Sequence, residues 1–264
     1  MVIGGIQKNS LIDYPGKISC VIFVAGCNFQ CPYCHNPSLV HSHLMIPKFE
    51  IEEVFGFLDS RRDFLEGVVV SGGEPTIQPD IVPFCERIKR MGYPVKLDTN
   101  GSRPKVLEHL IRDDFVDYVA MDIKTLPDLY GAYFKGDCGP SEILSSIRLI
   151  MASGKDYEFR TTCVKPMVDA HIIEGIGRLI EGADRYVLQD FIHKEVLHPE
   201  FFRGLGPGSG CSSKELLHFN AIVKPWVKEC SGPSGMEVES ALIEDEKRYP
   251  RPREFRSGGF FERS

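Results

Sequence analysis

Features that define several other classes of protein are missing from this sequence of 264 residues. No apolar run follows the first charges, so the secretory pattern is absent. The longest apolar stretch, residues 20–26, is far shorter than the roughly 20 residues that span a bilayer. Basic residues number 31 against 37 acidic ones (31 − 37 = −6), which leaves no positive excess for nucleic acid. We therefore expect a cytoplasmic protein that has neither a membrane nor a nucleic acid as partner.

Cysteine, in contrast, is abundant and clustered. Four of the nine cysteines lie between Cys20 and Cys34, a window in which an even spread would place about half of one. The odd total and the missing secretory pattern argue against a disulfide framework. Ligation of a metal or a cluster explains the clustering better. The other cysteines are scattered, and none lies between residues 35 and 50, so a second cluster is not expected, although a metal site with Cys211 and Cys230 stays open.

The order of apolar runs predicts an α/β fold. Strand-like and helix-like segments alternate up to residue 191, as in βα units with a parallel sheet. Beyond that point we expect a loop at 204–210, one helix at 214–223 and an irregular charged tail over the last 20 residues. The sequence thus predicts a partial (β/α)6 barrel over 1–191 and a C-terminal extension over 192–264. The six predicted strands are 18–25, 67–71, 94–98, 118–122, 157–164 and 185–191.

The motif that carries chemistry is Cys27-x3-Cys31-x2-Cys34. A [4Fe–4S] cluster normally takes four thiolates, so three ligands on one loop leave one iron without a protein ligand. The amino and carboxylate groups of S-adenosylmethionine (SAM) can fill that position, and one electron from the cluster then breaks a C–S bond of the sulfonium. The alternatives are a zinc site and an electron-transfer cluster. His35 directly follows Cys34 and cannot easily bind the same metal, and Cys20, inside a strand, is expected to be a core thiol.

The pattern C-x3-C-x-aromatic-C, with Tyr33 as the aromatic residue, resembles the signature of the radical SAM superfamily. The wider block SLIDYPGKISCVIFVAGCNFQCPYCHNP is similar to the glycyl-radical-enzyme activases, and above all to the activating proteins of anaerobic ribonucleoside-triphosphate reductase. The resemblance covers about residues 3 to 191. It implies a [4Fe–4S] cluster, SAM, a glycyl radical enzyme as partner and a reductant such as flavodoxin or ferredoxin. It also implies that Tyr33 lies near the adenine.

Polar residues at the ends of the predicted strands complete the expected site. Gly72-Gly73-Glu74-Pro75 ends the second strand, and in the resembled family this motif binds the amino group of SAM. Asp98 and Asp122 end the next two strands, where carboxylates face the active-site rim of a barrel. Strand alternation puts Lys124 on the same face as Asp122. Opposite charges there could pair with each other or hold a zwitterionic ligand.

The resemblance adds roles for the remaining rim residues. It implies that Asp98, Thr99, Asp122 and Lys124 surround SAM, with a monovalent cation beside the methionine moiety. Arg160, in the fifth strand, could pair with the SAM carboxylate or with Asp122. Gln189 could contact ribose or adenine, and His193 lies near the strand end at which related pyruvate formate-lyase activases carry a histidine.

Two other functions stay in view. A radical SAM enzyme that acts on a small molecule, such as a 7-carboxy-7-deazaguanine synthase, usually has an altered cysteine spacing, which this chain does not have. An electron-transfer or metal-binding module would not bind SAM, so the motif at 72–75 and the rim charges count against it.

Overall fold

The computed structural model describes residues 1–40, 49–136, 138–192, 195–203 and 209–232. Ten strands lie in these ranges: β1 Ile3–Ser10, β2 Ser19–Val24, β3 Phe29–Gln30, β4 Gly67–Gly72, β5 Val95–Thr99, β6 Tyr118–Asp122, β7 Lys135–Gly136, β8 Asp156–Cys163, β9 Arg185–Asp190 and β10 Glu229–Ser231. The α-helices are α1 Pro37–Val40, α2 Ile51–Asp59, α3 Ile81–Arg90, α4 Pro104–Arg112, α5 Tyr130–Tyr133, α6 Pro140–Met151, α7 Ala170–Leu179 and α8 Ser213–Val223.

Eight of these strands form one sheet in the order β1-β2-β4-β5-β6-β8-β9-β10. All neighbours pair in parallel except β1, which runs antiparallel to β2 at the edge. The strands β3 and β7 form a separate two-stranded antiparallel pair. The parallel strands therefore bring their carboxyl ends to one edge of the sheet, which is where the predicted site residues lie.

The segments that form β2, β4 and β6 of the parallel sheet are mainly apolar, and most of their residues are buried. In β4, Val68, Val69 and Val70 are all fully buried, because strands of a parallel sheet are covered on both faces and read as continuous apolar runs. Helices close the outer face with amphipathic sequences; α4, for example, buries Leu107 and Leu110.

The predicted α/β fold is confirmed, and the sheet is consistent with a partial barrel. The six predicted strands correspond to β2, β4, β5, β6, β8 and β9. The strands β1 and β10 were not predicted, because β1 mixes glycine and polar residues and β10 has three residues, so neither shows a strong apolar pattern.

Residues 1–232 form one compact unit. The first part of the predicted extension belongs to it, since β10 pairs with β9 and α8 packs on α7. The helices approach closely at Gly177, where a Cβ would lie 3.0 Å from Cγ2 of Val223 in α8. The predicted boundary at residue 191 stays a prediction. His193, most of the predicted loop at 204–210 and the predicted tail lie outside the described residues. No helix of the described ranges is long and apolar enough to cross a membrane.

Candidate active site

A cavity of about 280 Å³ opens at the carboxyl ends of the parallel strands. Its walls come from the cysteine loop and from the ends of β4, β5, β6, β8 and β9. Every site residue predicted from the sequence lines it. These are Cys27, Cys31, Tyr33, Cys34, Gly72, Gly73, Glu74, Asp98, Thr99, Asp122, Lys124, Arg160 and Gln189.

The cysteine loop is a tight structure that begins directly after β2. The backbone N–H of Cys34 donates to the carbonyl of Cys31 at 3.0 Å, which closes a turn between these two ligands. The N–H of Phe29 donates to Sγ of Cys27 at 3.4 Å, a contact that stabilises negative charge on the sulfur. Phe29 and Gln30 form β3 and pair with β7, and the Phe29 ring is buried against Tyr130 and Phe134.

The three thiols are free and face the same cavity. Burial raises the pKa of Cys27 to about 12 and that of Cys31 to about 11, so both are protonated without a metal. A metal ion or cluster displaces such protons and supplies the positive charge that makes the thiolates stable. All nine cysteines lie in the described ranges, and these three line the cavity, a donor set that fits a cluster with one open iron. Over the same ranges, no three His, Cys, Asp or Glu side chains are grouped to hold a single metal ion.

The glycine motif lets β4 end against the cysteine loop. Gly72 has φ +115°, a conformation that side chains rarely adopt. A Cβ on Gly73 would lie 2.0 Å from the carbonyl oxygen of Gly26, so the backbones approach too closely for any other residue. The N–H of Gly73 donates to Val24 at 2.8 Å, and that of Glu74 donates to Gly26 at 2.9 Å. The motif therefore sets the distance between β4 and the first cysteine.

Glu74 is buried in the cavity wall, with 1% of its surface exposed. Its Oε1 accepts from the N–H and hydroxyl of Thr76 and from the hydroxyl of Thr99 at 2.7 Å. Its Oε2 accepts from the N–H of Asn100 at 2.7 Å. Burial raises the pKa of Glu74, although these four donors partly offset the effect. The carboxylate thus joins the end of β4 to the turn after β5.

Ion pairs surround the two aspartates. Asp98 binds Nζ of Lys96 at 2.6 Å and the Arg160 guanidinium at 3.5 Å through Oδ1, and its Oδ2 accepts from the hydroxyl of Ser71. Asp122 pairs with Nε of Arg160 at 2.9 Å and with Nζ of Lys124 at 3.4 Å. Burial alone would raise the pKa of Asp98, but Arg160 and Lys96 outweigh it and hold the pKa below its usual value. The pairing between Arg160 and Asp122, one of the two partners expected from the sequence, is therefore present.

Tyr33 and Gln189 line the part of the cavity near the end of β9. The Tyr33 ring is buried and contacts Phe134 and Phe191 edge to face. Oε1 of Gln189 accepts from the hydroxyl of Thr162 at 3.3 Å. Cys20 is fully buried, as expected for a core thiol.

Sequence reasoning missed a partly buried link between the cysteine loop and the turn after β5. Nδ2 of Asn100 donates to Oδ1 of Asn28 at 3.0 Å, and Nδ2 of Asn28 donates to the hydroxyl of Ser102 at 2.8 Å. It also missed Lys96, Ser71 and His35. For Lys96 a signal existed, since strand alternation places residues 96 and 98 on the same face. For Asn28 none did, because its partners are more than 70 residues away along the chain.

Comparison with known proteins agrees with this geometry. A family model described as the radical SAM superfamily matches residues 21–176. The chain belongs to the radical SAM superfamily. It is also 39% identical over 231 residues to a Methanocaldococcus jannaschii protein named "Putative glycyl-radical enzyme activating enzyme", an alignment that covers 86% of this chain and 93% of that one. A pyruvate formate-lyase-activating enzyme of Clostridium pasteurianum is 31% identical over 136 residues, covering 48% of this chain and 56% of the relative.

Among solved structures, Streptococcus suis SuiB bound to the precursor peptide SuiA has a similar fold, with a TM-score of 0.63 and 14% identity. The match covers 87% of this chain and 54% of that one, and at this identity it supports the fold alone. The resemblance to the glycyl-radical-enzyme activases is confirmed, and this radical SAM protein is an activase-like enzyme. Membership in the superfamily implies a [4Fe–4S] cluster and SAM.

Proposed function

We propose that this radical SAM enzyme cleaves SAM reductively and generates a glycyl radical on a partner enzyme, namely anaerobic ribonucleoside-triphosphate reductase. The observation that carries the proposal is that Cys27, Cys31 and Cys34 share one cavity with the polar ends of five parallel strands. Three thiols fit a cluster with an open iron, and the polar strand ends offer groups for an amino-acid ligand at that iron. The activase assignment is supported by the relative that is 39% identical over 93% of its length.

In this proposal Cys27, Cys31 and Cys34 are the catalytic residues, because they hold the cluster. When bound, the cluster supplies the electron that divides SAM into methionine and a 5′-deoxyadenosyl radical. The chain holds these cysteines in place through the turn between Cys31 and Cys34 and through the contact of Gly73 with Gly26. Such fixed geometry is what a protein contributes to cofactor chemistry.

The strand ends are proposed to hold SAM. The amino group would lie against the backbone of Gly72 and Gly73, where no side chain stands in the way. Lys124 and Arg160 are the cations available for the carboxylate. The Lys124 pair with Asp122 is longer, at 3.4 Å against 2.9 Å, so Lys124 can exchange partners more readily. Tyr33 would lie near the adenine, and Gln189 near the ribose or adenine.

Two of the roles expected from the sequence take a modified form here. Because four donors already bind the carboxylate of Glu74, we propose that it positions the glycine motif and the turn after β5 around SAM. A monovalent cation at Asp98, Thr99 and Asp122 stays a prediction. It would require both aspartates to exchange the basic side chains that they now bind.

The first test is SAM cleavage by the isolated protein. Anaerobically reconstituted enzyme with dithionite and SAM should release 5′-deoxyadenosine and methionine, and Cys31→Ala should abolish the release. Cys85→Ala, which removes a buried thiol of α3 outside the cavity, is the matched control and should retain it. Wild-type protein that carries a full cluster and leaves SAM intact would contradict the proposal.

The partner is tested separately by electron paramagnetic resonance. Incubation with anaerobic ribonucleotide reductase, SAM and a flavodoxin or ferredoxin should give a glycyl-radical signal on the reductase. SAM cleavage without that signal, but with a signal on another glycyl radical enzyme, would retain the activase and change the partner. Turnover of a pterin-like small molecule with no protein partner would instead support the deazaguanine synthase alternative.

A further inference from the structure

A short segment beyond the last predicted strand lies against the outer side of the cysteine loop. We call residues 195–203 the strap. It ends in a single 3₁₀ turn, Pro199–Phe202, and the sequence gives no indication of what it does. Val196 and Phe202 are buried, so the segment is packed against the protein.

Backbone hydrogen bonds join the strap to the motif itself. The N–H of Leu197 donates to the carbonyl of Cys34 at 3.0 Å, and the N–H of His198 donates to the carbonyl of Pro32 at 3.1 Å. The two carbonyls belong to the residues on either side of Tyr33. Pro32 lies between the second and third cysteines, and Cys34 is the third cysteine. Together these two bonds fix the backbone from which the Cys34 side chain projects.

Aromatic side chains make a second connection. The ring of Phe202 stacks on Phe191, with centroids 5.4 Å apart, and Phe191 stacks on His35 at 5.5 Å. Nε2 of His35 lies 2.8 Å from the carbonyl oxygen of Ile192. The stack therefore runs from the strap to the residue that directly follows the third cysteine.

The strap also borders the outer side of the loop. A second cavity, of about 400 Å³, is lined there by Gln30 and Pro32 of the loop and by His198 and Phe201 of the strap. Residues 30 and 32 face this outer cavity, whereas residues 31 and 33 face the inner one. Alternate residues of the loop therefore face the two cavities, and the strap lines the outer one together with the loop.

We infer that the strap is a positioning element for the cluster: it fixes Cys34 and limits the access of water to the outer side of the cysteine loop. The inference rests on the proposed function, because the group being positioned is the [4Fe–4S] cluster. Residues around a metal site commonly change its affinity about 10- to 100-fold when they are altered, and solvent access changes the reduction potential of a cluster. Removing the Phe202 ring should therefore lower the affinity of the site for iron, although all three cysteine ligands remain.

Phe202→Ala provides the test, with Phe202→Tyr as the variant that restores the stack. Leu217→Ala, at an exposed position of α8, is the matched control. On reconstituted protein we expect Phe202→Ala to release iron to a chelator about 10-fold faster than wild type and to bleach faster in air. Phe202→Tyr and Leu217→Ala should behave as wild type. Thermal unfolding of the metal-free proteins checks that each variant is folded.

The possible failures can be told apart. Phe202→Ala that is folded and releases iron at the rate of Leu217→Ala would overturn the inference and leave the proposed function intact. The same would follow if only the yield of glycyl radical on the partner fell, since the strap would then be a partner contact. A wild-type chain that takes up no iron would overturn both.

Discussion

Two kinds of carboxylate stand in the wall of the same cavity, the buried Glu74 and the partly buried Asp98 and Asp122. Glu74 is bound by neutral donors that belong to the backbone and to two threonines. Asp98 and Asp122 are bound mainly by cations, through Lys96, Lys124 and Arg160. Burial raises the pKa of Glu74, whereas for both aspartates the neighbouring cations outweigh burial and lower it.

This difference in hydrogen-bond partners indicates different roles. Glu74 holds the shape of the site, whereas Asp98 and Asp122 can exchange partners when a ligand binds. Moving the Glu74 carboxylate would leave four buried donors unsatisfied, at a cost of about 1–3 kcal/mol for each group. The aspartates pair with long, flexible side chains, and a zwitterion such as SAM can replace those partners with its own charges. We therefore expect changes at Glu74 to disturb the geometry of the loops, and changes in the ion pairs to disturb charge and SAM affinity.

The largest effect is expected from Arg160→Met, which removes the cation shared by Asp98 and Asp122. Removing one partner of a fully buried pair typically costs about 3–5 kcal/mol of unfolding free energy. Because the Asp98 and Asp122 side chains are 15% and 34% exposed, we expect the lower end of that range. Urea denaturation measures this, and calorimetric titration with SAM should show weaker binding. Arg178→Met, which breaks an exposed pair with Glu174, is the control and should cost less than about 1 kcal/mol.

Arg160→Lys distinguishes charge from shape and covers the case in which Arg160→Met does not fold. A lysine retains the charge but cannot form the same fork between two carboxylates. It should recover part of the stability. If Arg160→Met is as stable as Arg178→Met, Arg160 does not stabilise the two aspartates. The contrast between Glu74 and the aspartates would then be wrong.

A smaller effect is expected from Glu74→Gln. The amide keeps the size of the side chain but presents an NH₂ group where an oxygen accepted hydrogen bonds, at a cost of about 2–3 kcal/mol. Because Asn100 connects Glu74 to Asn28 of the cysteine loop, iron uptake on reconstitution should fall as well. Glu52→Gln, at an exposed ion pair with Arg87, controls for loss of charge. A Glu74→Gln protein with normal stability and iron content but weak SAM binding would identify Glu74 as a direct ligand instead.

Much of this site follows from the sequence because its physical basis is local. The spacing of Cys27, Cys31 and Cys34 needs only one loop, and the carboxyl ends of parallel strands must meet at one edge. Alternation also gave the shared face of Asp122 and Lys124. The contacts that sequence reasoning missed are long-range: Asn28 with Asn100, and the carbonyl of Cys34 with Leu197. No local pattern encodes such pairs, and β10 is too short to show one.

The smallest effect, and the sharpest test of the comparison, is the dependence of stability on pH. Glu74 has a raised pKa, so its contribution is fully present below the unfolded value of about 4.3 and is lost as pH rises through the folded value. Asp98 has a lowered pKa, so its contribution is present above about 3.9 and is lost as pH falls through the folded value.

Between about pH 3 and pH 7 the two differences in unfolding free energy should therefore have opposite slopes. Wild type minus Glu74→Gln should decrease as pH rises, while wild type minus Asp98→Asn should increase, both measured by urea denaturation of the metal-free proteins. Because the wild type and each variant share every other titratable group, titration of those groups largely cancels in each difference. Slopes of the same sign would mean that cations, rather than neutral donors, determine the protonation of Glu74 as well. The distinction between a carboxylate that shapes the cavity and carboxylates that exchange partners would then be lost.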